Sequence, residues 1–129
     1  MKLKQKRLAQ EWFGRAESDL LYARAGEKET GKHHITCFLC HQAVEKVLKG
    51  MIVGLGGVFQ KTHSLRVSGA LVRELDPAVN LDDGDFRKLD AYYIPSRYPG
   101  PVEKEFSKKD AEIAIEIADK MISQVLRRD

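Results

Sequence analysis

An all-α fold, an up-and-down antiparallel bundle of four to five helices, is expected from three observations. Apolar residues recur at steps of three and four in every long segment. No segment alternates with the period of two that marks a strand. Gly and Pro are few and clustered, which divides the chain into long elements with short punctuation.

The 129 residues correspond to about one ordinary domain, so 1–129 is expected to be a single bundle with its core between about residues 7 and 127. Such a length can bury a core without disulfides or a structural metal. Hydrophobic residues make up 43% and charged residues 32%, a balance that suits a helical protein with densely charged outer faces.

The first helix is expected from about Lys6 to Glu27. Leu8, Trp12, Ala16, Leu20 and Ala23 form its apolar face, and Glu11, Arg15, Asp19 and Arg24 lie off it. Gly26 and Gly31 mark the stop and a loop. The second helix runs from about His33 to Val53 and is the most apolar. Ile35, Phe38, Leu39, Val44, Val47, Leu48, Met51 and Ile52 nearly encircle it, as expected of a central helix. Its charged exceptions, Glu45, Lys46 and Lys49, sit close together on one side, and Gly54, Gly56 and Gly57 end it.

Lys61-Thr62-His63-Ser64 reads as a helix start with Thr62 or Ser64 as N-cap. Val67, Leu71, Leu75 and Ala70 provide the stripe of this third helix, and Asp76-Pro77 stops it. Asp82 or Asp83 caps a shorter fourth helix with Phe86, Leu89 and Tyr93 inward. Pro95, Pro99 and Pro101 then impose a loop. Ser107-Lys108-Lys109-Asp110 resembles a capping box with Asp in place of Glu. Ala111, Ile115, Ala118, Ile122 and Val125 form the face of the last helix, with Arg127 and Arg128 favourable for its dipole.

Composition excludes several function classes. No apolar run approaches the length of a membrane span. The basic run at residues 2–7 is not followed by an apolar stretch, so no secretory signal is expected; a cytoplasmic location with reduced cysteines follows. A net charge of +3 is a mild basic excess that leaves room for a local anion site.

Cys37-Phe38-Leu39-Cys40-His41 has the spacing of c-type haem attachment. That reading fails for want of an export signal and because the residues belong to the most apolar helix, where free Cys packs as a small hydrophobe. His33, Cys37 and His41 step along one helix face, but with neither a His-Glu-x-x-His nor a paired Cys-x-x-Cys pattern no metal site is expected. Gly54-Leu55-Gly56-Gly57 lacks the Lys-Ser/Thr of a phosphate loop, and no cofactor is expected.

The most informative stretch is Tyr92-Tyr93-Ile94-Pro95-Ser96-Arg97-Tyr98-Pro99. Arg97 is suited to phosphate oxygens and Tyr98 to stacking on a base. The alternative is a structural Arg97 paired with a helix carboxylate while Tyr98 packs the core. His63, at a helix start between Lys61 and Arg66, either joins a phosphate site or caps its helix.

These features occur together in a familiar order. Cys37-Phe38 with His41-Gln42-Ala43-Val44-Glu45-Lys46-Val47-Leu48-Lys49, then Lys61-Thr62-His63-Ser64-Leu65, then Tyr93-Ile94-Pro95-Ser96-Arg97-Tyr98-Pro99, resembles the ordered signature of small prokaryotic HEPN (higher eukaryotes and prokaryotes nucleotide-binding) proteins over about residues 10–127. The resemblance implies a bundle, usually a homodimer, associated with nucleotides or RNA. It also implies a minimal nucleotidyltransferase partner, sometimes in a toxin–antitoxin pair. Ribonuclease-active members carry an Arg followed a few residues later by a His at the dimer cleft. Behind Arg97 no His follows.

The expected function is therefore a non-catalytic nucleotide- or RNA-directed binding subunit. Arg97 and His63 would contact phosphate, Tyr98 would stack, and Lys46 and Lys49 would supply positive field. All five are expected to converge on one cleft. The alternative is a divergent metal-independent ribonuclease using His63 and Arg97, with His63 as acid/base.

Overall fold

The computed structural model describes residues 3–99 and 105–126. It contains five helices: α1 (Leu3–Thr30), α2 (His33–Gly54), α3 (Leu65–Leu75), α4 (Asp83–Arg97) and α5 (Lys108–Leu126). No strand occurs among the described residues. The expected positions of Arg127, Arg128, Pro101 and Lys2 lie outside them.

The apolar character of α2 explains the architecture. A helix hydrophobic on nearly every side must be covered on every side, and α2 packs against each of the other four. Cys37, Cys40, Ala43, Val44, Val47, Leu48 and Ile52 are fully buried on it, within one hydrophobic cluster to which all five helices contribute. Both cysteines are free thiols with no exposed surface. Burial, followed by the nearby Cys37, pushes the Cys40 thiol far up.

α1 is longer at both ends than its apolar stripe predicts. Ala9, Ala16, Leu20 and Ala23 are its buried residues, whereas Leu8 is exposed. Small residues on this face let the helices approach closely. A Cβ on Gly50 of α2 would come within 2.5 Å of the Phe13 ring. Gly26 lies inside the helix; the stop is Gly31, at φ 63°. Gly56, at φ 82°, turns the chain after α2 in the same way.

α3 is capped by Ser64, whose side chain accepts from the Val67 N–H at 3.2 Å. Its inward face is shifted from the expected one, although Leu71 packs against the core as expected. Leu65, Ser68, Gly69 and Val72 are buried, whereas Val67, Ala70 and Leu75 are exposed. The reason is steric. The Phe86 ring of α4 lies where a Cβ on Gly69 would stand, at 2.5 Å, so small residues mark the contact face.

Asp82 caps α4 by accepting from the Gly84 and Asp85 N–H groups. Phe86, Leu89 and Tyr93 point inward as expected, joined by Tyr92 and Ser96. The proline loop begins later than expected: the helix runs through Pro95 to Arg97. The ring removes one backbone hydrogen bond, from the carbonyl of Ala91. Ala91 is exposed, and the buried side chains of Tyr92, Tyr93 and Ser96 hold the last turn in place.

α5 opens with the reciprocal capping box. The Ser107 N–H donates to Asp110 at 3.0 Å, and the Asp110 N–H donates to Ser107 Oγ at 3.1 Å. Asp110 also accepts from the Tyr92 hydroxyl at 3.1 Å, which ties α4 to the start of α5. Ser107→Ala should destabilise the fold by about 1 kcal/mol, read as a melting temperature lowered by about 4 °C. Ile115 and Val125 pack at the margin of the core; Ala114, Ile117 and Met121 complete the buried face.

Candidate functional site

α2 and α4 run antiparallel, and each carries a polar-aromatic stripe at helical spacing. On α2 the stripe is Phe38, His41 and Glu45; on α4 it is Asp90, Tyr93 and Arg97. Antiparallel pairing brings Phe38 to Arg97 and His41 to Tyr93 and Asp90. The start of α3 docks on the same seam, bringing His63 and Ser64.

Tyr93, itself 8% exposed, is the hub. The His41 ring lies 4.5 Å from it, the His63 ring 5.1 Å and the Phe38 ring 6.2 Å. The Arg97 guanidinium sits 5.1 Å over Tyr93, 5.8 Å over Phe38 and 4.9 Å over Tyr98. It also donates a short hydrogen bond to the Tyr93 hydroxyl. No carboxylate among the described residues pairs with Arg97, and Tyr98 is 52% exposed. The alternative of a salt-bridged Arg97 beside a core Tyr98 therefore does not match the geometry.

Two carboxylates organise the seam. Asp90 accepts from His41 Nε2 at 3.0 Å, from the Leu65 and Arg66 N–H groups at 2.9 and 3.2 Å, and from the Ser64 hydroxyl at 3.3 Å. Burial alone would raise the Asp90 pKa. The His41 hydrogen bond and the two amides outweigh it and hold the carboxyl below its ordinary value. Glu45 is 3% exposed. It accepts from His63 Nδ1 at 3.0 Å and from Lys49 at 3.1 Å. An ionised carboxylate only accepts, so His63 carries its hydrogen on Nδ1 and leaves Nε2 as the free ring nitrogen. The His63 side chain is 56% exposed. His63 thus serves the seam, and Ser64 does the capping.

The five expected residues are brought together in part. Arg97, Tyr98 and His63 meet through Tyr93. Lys49 reaches the group through Glu45, and it lies 5.4 and 5.3 Å over the Trp12 and Phe59 rings. Lys46 faces α1 and pairs with Asp19 at 2.7 Å. The expectation that α4 ends near Lys46 and Lys49 fails because α4 antiparallels α2. Its C-terminus lands at the start of α2. There Arg97 and Tyr98 line a cleft of about 540 Å³ with the α1–α2 turn, and His63 is not among its lining residues.

Glu45, Asp90 and Phe38 were not singled out from sequence as parts of one site. The signal lay in the three-and-four spacing of polar residues on inward faces, which needs the α2–α4 pairing to be visible. His33, Cys37 and His41, which step along one face, are separately engaged. His33 bonds Glu27, Cys37 is buried, and His41 bonds Asp90. Among the described residues no cluster of three or more His, Cys, Asp or Glu is placed to hold a metal, and no helix is long and apolar enough to cross a membrane.

Comparison with known proteins agrees with the five-helix fold. The chain is similar to TT1696 from Thermus thermophilus, whose crystal structure superposes with a TM-score of 0.77 at 28% identity, covering 92% of this chain and 96% of that one. It is also similar to ST0689, an archaeal HEPN homologue, with a TM-score of 0.67 at 26% identity, covering 91% and 93%. No curated protein sequence matches it significantly. The family model of the HEPN domain matches residues 9–128, nearly the whole chain, and the chain belongs to that family.

Proposed function

We propose that this HEPN domain is a nucleotide- or RNA-directed binding subunit that works as a homodimer, beside a nucleotidyltransferase-fold partner. One observation carries the reading. Arg97 is laid across three aromatic rings with no carboxylate to neutralise it among the described residues. An exposed guanidinium with no carboxylate partner among the described residues offers its N–H groups to phosphate oxygens. The exposed Tyr98 beside it offers a stacking face to a base. His63 adds a second ring nitrogen on the same hub. Lys49 contributes positive field at one remove and Lys46 a weaker one, since each has a carboxylate partner.

The test is a titration with AMP, ATP and a short single-stranded RNA, coupled to a gel assay of RNA integrity. Saturable binding with intact RNA is the expected result; absence of binding to all three sinks the reading. One observation favours a ribonuclease as the second reading. The Glu45–His63 pair presents an oriented, exposed imidazole of the kind used for proton transfer. Metal-independent cleavage that disappears in His63→Ala would select it. Exposed Leu21 and Tyr22 on α1 support self-association. Light scattering at micromolar concentration should return twice the chain mass; a monomer mass would count against the dimer. Mass spectrometry of co-purifying proteins checks the nucleotidyltransferase-fold partner, possession of which would be consistent with a toxin–antitoxin pair.

A further inference from the structure

The cleft beside Arg97 has a second wall that the motifs do not announce. It is the α1–α2 turn, which brings Lys32, His33 and His34 to face Arg97 and Tyr98 across about 540 Å³. That volume falls in the range of small-ligand sites. Lys32 and His34 are exposed, and Glu105 is the one carboxylate among the described lining residues.

His33 differs from its neighbours. Its Nδ1 lies 2.7 Å from Glu27 Oε2, while Glu27 Oε1 accepts from the Thr36 hydroxyl at 2.8 Å. Glu27 is 14% exposed and His33 28%, so both ends of the pair are partly withdrawn from water. In the neutral ring the carboxylate fixes the tautomer: hydrogen on Nδ1, lone pair on Nε2. A neutral imidazole so oriented is a hydrogen-bond acceptor. An acceptor in a cleft otherwise supplied with cationic donors matches a ligand that carries both phosphate oxygens and a hydroxyl.

We infer that this cleft binds one ribonucleotide unit, with phosphate on Arg97, Lys32 and His34, the base on Tyr98, and the 2′-hydroxyl donating to His33 Nε2. The inference rests on the nucleotide-directed reading above and adds to it the wall, its residues and the sugar. The 2′-hydroxyl is the group that distinguishes RNA from DNA at a single site. Lys46 and Lys49, on the far half of α2, do not line the cleft and act on it only through their field.

The probes are AMP and 2′-deoxy-AMP, followed by a single-stranded RNA and its DNA counterpart. The unmodified protein should prefer AMP by about five-fold, the ratio expected for one neutral hydrogen bond. His33→Ala should abolish that preference, whereas the double variant Lys32→Ala/His34→Ala should weaken both mononucleotides about equally, by about ten-fold. Glu105→Gln should tighten both by removing a repelling charge. In the unmodified protein the imidazole resonances of His33 and His34 should move on adding AMP while that of buried His41 stays fixed, a readout independent of how any variant folds. If the unmodified protein binds AMP but the turn variants bind as it does, or those resonances stay still, the inference falls and the broader reading stands. Equal affinity for AMP and 2′-deoxy-AMP overturns the ribose assignment. If neither mononucleotide nor either strand binds, both fall together.

Discussion

Arg97→Ala should weaken nucleotide or RNA binding by about 1–3 kcal/mol, roughly five-fold to 150-fold in Kd, while moving the melting temperature by no more than about 2 °C. The two halves of this expectation have separate causes. Binding falls because the substitution removes a charged, forked donor whose partner would be a phosphate. Stability is nearly untouched because Arg97 is exposed, so water takes over most of what its ring contacts and its hydrogen bond supply. Tyr93 keeps its place without it, held between the His41 and His63 rings. Arg97→Lys should fall between, since an ammonium keeps the charge but loses the planar fork. Binding isotherms and thermal melts on the same preparations check both halves. Ready unfolding with unaltered binding would make Arg97 a structural residue.

The sequence was legible wherever local chemistry decides. Ser64, Asp82 and the Ser107–Asp110 pair cap their helices because capping needs only a side chain and an amide three residues away. The central role of α2 was legible from its encircling apolar surface. Features decided by a partner helix were not. The face of α3 turns on Gly69 making room for Phe86, and size-based periodicity assigns the wrong side. Pro95 reads as a helix end, yet Tyr92, Tyr93 and Ser96 are buried around it and carry the helix another two residues.

The site divides in the same way. Arg97, Tyr98 and His63 stand out as residue types in a restrained setting, and they do meet around Tyr93. Lys46 and Lys49 were placed by assuming which ends of the bundle coincide, and the antiparallel course of α4 against α2 puts Arg97 at the other end. Glu45 stands out in the sequence only as one of three charged exceptions on α2. In the fold Lys49 and His63 satisfy it under cover. A carboxylate with two cationic or donor partners can be buried, and nothing local reveals that both will arrive.

Asp90→Ala should destabilise the protein by about 2–4 kcal/mol, more than any exposed site residue, because one carboxylate ties both α2 and the start of α3 to α4. Its removal strands the Nε2 hydrogen of His41, a side chain with no exposed surface, whose Nδ1 already lacks a partner among the described residues. It also frees the Leu65 and Arg66 amides at the start of α3. The upper end of the range for buried charge pairs does not apply, since Asp90 is 22% exposed and water reaches part of the vacancy. Asp90→Asn should recover part of the loss, as its carbonyl oxygen still accepts from His41 or the amides but not from all of them with a full charge. The effect has a pH signature. Because the folded carboxyl titrates below its ordinary value of 3.8, its contribution is complete above that value and is lost as pH falls through the lower folded one. The unmodified protein should therefore lose stability more steeply than Asp90→Asn below about pH 4, a difference that denaturant titrations between neutral pH and pH 3 would resolve. The same substitution should loosen His63, two residues before Leu65, and so weaken any ligand contact His63 makes while leaving the Arg97 end of the seam intact. Parallel acid profiles for the two proteins would show that Asp90 is not the anchor of α3. Loss of stability without loss of His63 contacts would separate its structural role from the site.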